Sequence, residues 1–378
     1  MRPKPYVTHN PQNSEQRLDR RVPPPSPTQR PRVSRIPASP TLPFPHSPTL
    51  NAQPSEVPTI DSTYTPPPLL DGGHRQTLYA SFVRRVDLAY DHRERIETPD
   101  DDFLDLDWAM PNGPDPQRVA ILTHGLEGSA HRKYMRGMAR AFVRRGWTVC
   151  ALNLRGCSGE TNRQVATYHS GKTEDLTLVV DHVLERDYTS VVLVGFSLGG
   201  NLTLKYLGDR GPQVDDRIRG AVALSVPVDL SASADQIDRW SNGHYTQYFL
   251  HSLRQKIRLK ARQHPNRVST KRLRAIHTLR SFDDAYTAPL HGFDGADDYY
   301  RQASSKPVLP DLTVPTLLLN AANDPFLPPS CYPRPIARDH DRLTLEVPES
   351  GGHVGFVSFN DRGEYWSELR TTSFLSSL

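Results

Sequence analysis

The chain has 378 residues and nearly balances its charges, since 46 Lys and Arg against 42 Asp and Glu leave a formal net charge of +4 at pH 7. This small charge gives no overall field that would favour nucleic acid, and the sequence has no run of about 18 apolar residues that would suggest a membrane-spanning helix. The three cysteines, Cys150, Cys157 and Cys331, form no metal-binding spacing, and no signal-peptide pattern opens the chain. We therefore expect a cytoplasmic protein, long enough to bury a large core and still carry an insertion.

Residues 1–65 are dominated by Pro, Ser, Thr and Arg. Such a composition buries too little apolar surface to offset the entropy of ordering, so we predict a disordered N-terminal tail. We interpret it as a linker or tail, with a polyproline segment for a partner domain as the alternative. The segment GHRQT at 73–77 lies near the start of the predicted globular part, and we interpret its His74 as structural, with a site role as the alternative.

Between Ile96 and Trp108, two short alternating runs flank an acidic turn. Aspartates alternate with apolar residues from Phe103 onward, a period of two that predicts a strand and, with the preceding run, an antiparallel pair. We interpret the turn aspartates, residues 100–102, as a solvated hairpin turn, with a cation site as the alternative.

Strands and helices then alternate along the chain, which predicts a mostly parallel sheet covered by helices on both faces. The predicted strands span 118–123, 147–154, 191–194, 220–226, 314–320 and 343–347. The predicted helices span 131–145, 173–186, 201–207 and 363–378, with Thr173 as an N-terminal cap and Gly208 closing the third helix.

Residues 231–310 interrupt this alternation with a long, charged stretch of helical character. We predict an inserted helical cap over the carboxyl edge of the sheet, where open α/β sheets bind their ligands. The ranges 66–230 and 311–378 are then the two parts of one core.

The apolar strand at 191–194 leads directly into GFSLG at 195–199 and then into a helix. Gly-x-Ser-x-Gly between a strand and a helix predicts a nucleophile elbow, a strained turn that projects the serine hydroxyl above the sheet. The residues two positions before and after the serine must be small, because larger side chains would collide with the turn. Ser197 is therefore the candidate nucleophile.

A serine hydroxyl needs a base, and the base needs an acid that holds its tautomer. In this topology the acid and then the histidine follow the serine, each on a loop after a strand. Asp324 and His353 occur in that order after the last two predicted strands. Asp229 also follows a strand and is the competing acid, but we favour Asp324 because Asp229 leads straight into the cap.

Acyl transfer also needs hydrogen-bond donors for the developing oxyanion. We predict the backbone amides of Leu198, at the start of the helix, and of Leu126, in the loop after His124-Gly125. His124 is interpreted as structural, with a second base as the alternative. The predicted chemistry requires no metal and no organic cofactor.

At these residues the sequence resembles the α/β-hydrolase superfamily and, within it, the YheT-like branch (AB hydrolase 4 family) that contains the mammalian ABHD-type proteins. The resemblance covers about residues 66–376. The shared motifs are GHRQT at 73–77, HGLEG at 124–128, RGCSGETN at 155–162, YHSG at 168–171, GFSLGGN at 195–201, NDP at 323–325 and GGHVGF at 351–356. The resemblance implies a Ser-His-Asp charge relay of Ser197, His353 and Asp324 that acts on short-chain or lipid-type carboxylic esters.

Together these observations predict an α/β-hydrolase fold with a helical cap and the activity of a serine carboxylesterase. Acyl transfer by the same three residues is one alternative, and a catalytically idle interaction protein is another. The expected partner is a small ester or lipid substrate, with at most peripheral membrane contact and no nucleic acid. The oligomeric state is left open.

Overall fold

A computed structural model describes residues 59–60, 62–113 and 117–378. The tail predicted for 1–65 falls almost entirely outside these residues, so it stays a prediction. Among the described residues, nine strands form one sheet in the order β1-β9-β8-β7-β6-β4-β5-β3-β2. The strands are β1 Thr59–Ile60, β2 His92–Glu97, β3 Phe103–Ala109, β4 Arg118–Thr123, β5 Thr148–Asn153, β6 Ser190–Phe196, β7 Ile218–Leu224, β8 Thr316–Leu319 and β9 Leu343–Glu346.

Neighbouring strands are parallel except where β3 pairs antiparallel with β2 and β5. The helices that connect and cover them are α1 Gly73–Leu78, α2 Lys133–Val143, α3 Thr173–Leu184, α4 Leu198–Arg210, α5 Leu230–Ile237, α6 Gly243–Gln263, α7 Leu279–Phe282, α8 Ala288–His291, α9 Ala296–Ala303, α10 Arg334–Arg338 and α11 Trp366–Ser376. This mostly parallel sheet confirms the predicted α/β-hydrolase fold.

Helices cover both faces of the sheet. Alternate residues of strand β4 pack against the helices on opposite faces. Val119 and Ile121 belong to the apolar cluster that includes α3 and α4, whereas Ala120 and Leu122 belong to the cluster that includes α2 and α11. Because both faces of the strand are buried, its sequence is a continuous run of apolar residues. Helix α2 instead buries one stripe, formed by Met135, Met138, Ala139 and Phe142 at helical spacing.

The predicted antiparallel pair is confirmed by β2 and β3, which pair from His92 opposite Trp108 to Glu97 opposite Phe103. Its outward aspartates are buried because arginines of β2 cover them: Arg93 binds Asp107 and Arg95 binds Asp105, each at 2.7 Å.

The prediction of a fully solvated turn at residues 100–102 is wrong for Asp102, which is buried. Its carboxylate accepts hydrogen bonds from Arg155 at 3.1 Å and Asn162 at 2.6 Å. These partners lie more than fifty residues away along the chain, so the tertiary contact outweighs the local preference for a solvated turn.

Two predicted helix boundaries are also wrong. Thr173 is the first residue of α3 rather than its cap, and the capping position is Lys172, without a side-chain hydrogen bond. Gly208 does not end α4, which continues to Arg210. A Cβ at Gly208 would lie 2.4 Å from the carbonyl oxygen of Val308, so this glycine serves close packing.

Helices α5 to α9 fall between β7 and β8, where the cap was predicted, and several of them share an apolar cluster of their own. That cluster includes Leu250, Ile257, Leu279, Phe282 and Tyr286. The exact limits of the cap, 231–310, stay a prediction. In the part of the chain that the structure describes, none of the helices combines the length and the apolar character of a membrane span.

Candidate active site

Ser197 lies between β6 and α4 with φ 52° and ψ −120°, a conformation that non-glycine residues rarely adopt. A Cβ at Gly195 would come within 2.3 Å of the carbonyl oxygen of Gly199, and one at Gly199 within 2.3 Å of that of Thr123. Both positions therefore require glycine, a stricter condition than the small residues that the elbow predicts. The strained serine projects from the carboxyl end of the central strand.

The structure brings the three predicted side chains together. His353 Nε2 lies 2.9 Å from Ser197 Oγ, and His353 Nδ1 lies 2.9 Å from Asp324 Oδ2 and 3.1 Å from Oδ1. The Asp324 side chain is fully buried and that of His353 is 11 % exposed. The competing acid, Asp229, instead caps helix α5, where its carboxylate accepts the amide of Ala232 at 3.2 Å.

Hydrogen bonds from three elements fix the loop that carries His353. Thr77 Oγ1 accepts the backbone amide of His353 at 2.8 Å, and Ser225 Oγ accepts that of Val354 at 2.9 Å. Asn323 Oδ1 accepts the amide of Gly352 at 2.9 Å, which joins the loops of Asp324 and His353. These bonds fix the backbone on both sides of the imidazole.

Much of this support comes from residues 73–77, which we name the clamp segment. Gln76 donates to Ser350 Oγ at 2.8 Å and accepts the amide of Val357 at 3.1 Å. Gly73 packs so closely against the Asp324 loop that a Cβ there would lie 1.9 Å from the carbonyl oxygen of Asn323. This role does not follow from the sequence alone, although the clamp segment is one of the motifs that carry the family resemblance.

The predicted oxyanion donors lie in the first turn of α4 and in the loop after β4. In that loop the amide of Gly125 donates to Tyr134 at 3.0 Å and that of Glu127 to Tyr168 at 2.8 Å. Among the described residues, neither the Leu126 amide nor the Leu198 amide has an acceptor. Both amides are therefore free to donate to a ligand at Ser197, and Gly125 brings the loop close because its Cβ would lie 3.0 Å from that of the serine.

Both ring nitrogens of His124 contact backbone groups of neighbouring loops. Its Nε2 accepts the amide of Leu154 at 3.1 Å, and its Nδ1 lies 2.8 Å from the carbonyl of Gly125. Burial lowers the pKa of His124 to about 4, so the ring is neutral at pH 7 and fixes the loop between the two strand ends. These contacts match the structural interpretation of His124 rather than the alternative of a second base.

A buried ion pair connects the loop after β4 to helix α6. Glu127 lies 2.8 Å from Lys256 of α6 and also accepts hydrogen bonds from Tyr168 and Ser252. Burial alone would raise the pKa of Glu127, but Lys256 and the two hydroxyls outweigh it and hold the pKa below its usual value. Glu127 has φ 52°, so helix α6 stabilises a strained residue next to Leu126.

Two cavities meet at Ser197 and share Leu126, Phe249 and Phe326 in their walls. The first, which we name the cap chamber, lies under α5 to α9 and is lined mainly by apolar and aromatic side chains that include Leu253, Ile257, Leu279, Phe282, Tyr286 and Leu290. The second, the entrance groove, runs along the ends of α1 and α2 and is lined by residues that include Leu78, Phe82, Arg132, Lys133, Tyr245 and Tyr248. An ester at Ser197 can thus extend one part into each cavity.

Among the described residues, no group of three or more His, Cys, Asp or Glu side chains is arranged to hold a metal ion. The three cysteines are free thiols, of which Cys150 and Cys331 are buried.

Comparison with known proteins supports the same family. Residues 120–359 match the family described as the alpha/beta hydrolase fold. The chain is 33% identical over 310 residues to YheT of Escherichia coli strain K12, which is named as an esterase, and the match covers 80% of this chain and 90% of that protein. It is 28% identical over 308 residues to human phospholipase ABHD3, covering 79% of this chain and 75% of the relative.

Among solved structures, an esterase of Pyrococcus furiosus is similar in fold, with a TM-score of 0.50 and 18% identity over 78% of this chain and 97% of the other. At that identity the likeness concerns the fold alone. The sequence matches and the sheet topology together show that the chain belongs to the α/β-hydrolase family, in the branch that contains YheT and ABHD3.

Proposed function

We propose that the chain is a serine carboxylesterase in which Ser197 is the nucleophile, His353 the general base and acid, and Asp324 the residue that orients His353. The substrate class is a carboxylic ester of short-chain or lipid type, and the expected location is the cytoplasm. Relatives named as an esterase and a phospholipase support ester hydrolysis. The hydrogen-bonded chain from Ser197 through His353 to Asp324 is the observation that carries the assignment.

In the proposed first step, His353 Nε2 takes the proton of Ser197 as Oγ attacks the ester carbon. The carbonyl oxygen becomes an oxyanion that the amides of Leu126 and Leu198 stabilise. The intermediate collapses when the bond to the alcohol oxygen breaks, and His353 gives its proton to that oxygen. The alcohol leaves, and the acyl group stays on Ser197.

Water then attacks the acyl-enzyme, with His353 as the base that takes its proton. The second tetrahedral intermediate releases the carboxylic acid and returns the proton to Ser197. Asp324 accepts a hydrogen bond from Nδ1–H of His353 throughout, so that Nε2 faces the serine and the imidazolium is stabilised.

The test is hydrolysis of p-nitrophenyl esters by the wild type and by Ser197→Ala. We expect kcat to fall by about 10⁴-fold or more in the variant, because no other group replaces the nucleophile. Unchanged circular dichroism and thermal midpoint would show that the variant is folded, and a fluorophosphonate probe should label only the wild type. Equal activity in Ser197→Ala would reject the proposal, whereas a product formed with added acceptor alcohol would assign acyl transfer to the same residues.

A further inference from the structure

The entrance groove and the cap chamber differ in their charges. None of the described residues that line the groove is acidic, whereas Arg84, Arg132 and Lys133 line it with positive charge. The chamber contains one lysine, Lys256, and its ammonium is already paired with Glu127. Of the two cavities, only the entrance groove therefore offers unpaired cations to a negatively charged group of a substrate.

Arg132 and Lys133 hold charges that no described carboxylate neutralises. Lys133 donates to the carbonyl of Phe82 at 2.7 Å, and Arg132 donates to the carbonyl of Glu127 at 2.7 Å and to the hydroxyl of Tyr248 at 3.2 Å. All three acceptors are neutral, so they fix the side chains without removing their charge.

The third cation of the groove has a partner of its own. Arg84 lies 2.5 Å from Glu368, and both side chains are buried, so this guanidinium is paired. The positive potential of the groove hence arises mainly from residues 132 and 133, at the end where α2 begins.

The apolar lining of the cap chamber indicates which part of an ester each cavity would bind. A charged group placed among its aromatic and aliphatic side chains would lose its hydration without gaining a free counter-charge. An apolar acyl chain buries its surface there at no such cost. The acyl portion then occupies the chamber, and the alcohol portion extends from Ser197 into the groove.

We propose that the enzyme prefers carboxylic esters whose acyl part is apolar and whose alcohol part carries an anionic group, such as a phosphate or carboxylate, that binds beside Arg132 and Lys133. This specificity rests on the proposed esterase function and adds a selection on the leaving side. Lys133 is the specificity-determining residue to test, because Arg132 also binds the backbone carbonyl of Glu127 in the loop after β4.

The experiment compares three soluble esters that share a hexanoyl group, namely hexanoyl glycerol, hexanoyl glycerol phosphate and hexanoyl glycerate. We expect the wild type to show a kcat/KM about two- to fivefold higher for the anionic esters, the range of partly exposed ion pairs. Lys133→Gln should lower the ratio of kcat/KM for the anionic esters to kcat/KM for hexanoyl glycerol by about threefold, and Lys133→Glu should bring that ratio below one. The phosphate and carboxylate esters show which anion the groove favours.

Lys271→Gln is the matched control, because Lys271 is exposed and lines neither cavity. It removes the same charge from the protein, so an effect of net charge alone would appear in both variants. Equal kcat/KM for neutral and anionic esters, or the same change in Lys133→Gln and Lys271→Gln, would overturn the specificity. A preference seen only with esters presented in anionic vesicles would also overturn it and would assign the cations to a membrane surface.

The two proposals fail separately. If hydrolysis of hexanoyl glycerol depends on Ser197, the proposed esterase function stands, whether or not the enzyme prefers anionic esters. Hydrolysis that survives Ser197→Ala rejects the function itself.

Discussion

Replacing Gly73 with alanine tests whether the clamp segment positions the loops that carry Asp324 and His353. The new Cβ would lie 1.9 Å from the carbonyl oxygen of Asn323, where ordinary contacts begin at 3.4 Å. Asn323 immediately precedes Asp324, and its side chain also accepts the amide of Gly352. A displacement of Asn323 therefore acts on both loops at once.

The size of the effect follows from this contact. About 1.5 Å of separation is missing, and misplacement of catalytic groups by roughly 1 Å can lower a rate about 10²-fold. Because the clamp segment and the Asp324 loop can share the movement, we expect kcat/KM to fall about 30- to 100-fold in Gly73→Ala. The loss should appear mainly in kcat, since neither cavity is lined by Gly73.

The neighbouring glycine supplies the control. A Cβ at Gly72 would meet only the side chain of Arg75, at 3.7 Å, so Gly72→Ala should keep kcat/KM within about twofold of the wild type. Both variants would be assayed with one p-nitrophenyl ester, and their thermal midpoints compared. Wild-type activity in Gly73→Ala, or the same loss in both variants, would refute the positioning role of the clamp segment.

Two further predictions concern charges under the cap. Lys256→Met should lower the free energy of unfolding by about 3–5 kcal/mol in urea denaturation, because Glu127 would remain buried without its cation, and adding Glu127→Gln should restore most of it; no recovery in the double variant would contradict this. Burial raises the pKa of Asp283 to about 6, so its folded form binds the proton more tightly than the unfolded chain. Ionisation of Asp283 between about pH 4 and 6 therefore lowers the free energy of unfolding of the wild type. As the pH rises from 4 to 7, the free energy of unfolding of Asp283→Asn should increase relative to the wild type by up to about 3 kcal/mol. Parallel curves of unfolding free energy against pH for the two proteins would exclude this linkage.

The elbow could be predicted from the sequence because its constraints are local. The apolar strand, the glycines at 195 and 199 and the helix that follows lie within one short stretch, and each restricts the same turn. The order of acid and histidine after the serine then left Asp324 and Asp229 as candidate acids for His353, and Asp324 was favoured because Asp229 leads straight into the predicted cap. The structure places Ser197, His353 and Asp324 in one hydrogen-bonded chain.

What could not be predicted depends on contacts between distant parts of the chain. Asp102 has the residue type of a solvated turn but is buried by Arg155 and Asn162. Gly208 has the residue type that ends helices, yet the approach of Val308 explains its presence inside α4. Similarly, nothing in the sequence near Thr77 indicates that its hydroxyl would accept the amide of His353.

The clamp segment also has a consequence for the order of assembly. Its bond from Thr77 to His353 joins residues 276 positions apart, and that from Gln76 to Ser350 spans 274. During synthesis, the earlier member of each pair leaves the ribosome long before its partner exists. Contacts of such sequence separation form late, because the intervening chain must first lose its freedom. A molecule in which strands β2 to β8 have already paired would therefore still lack activity until the clamp segment contacts the loop of His353.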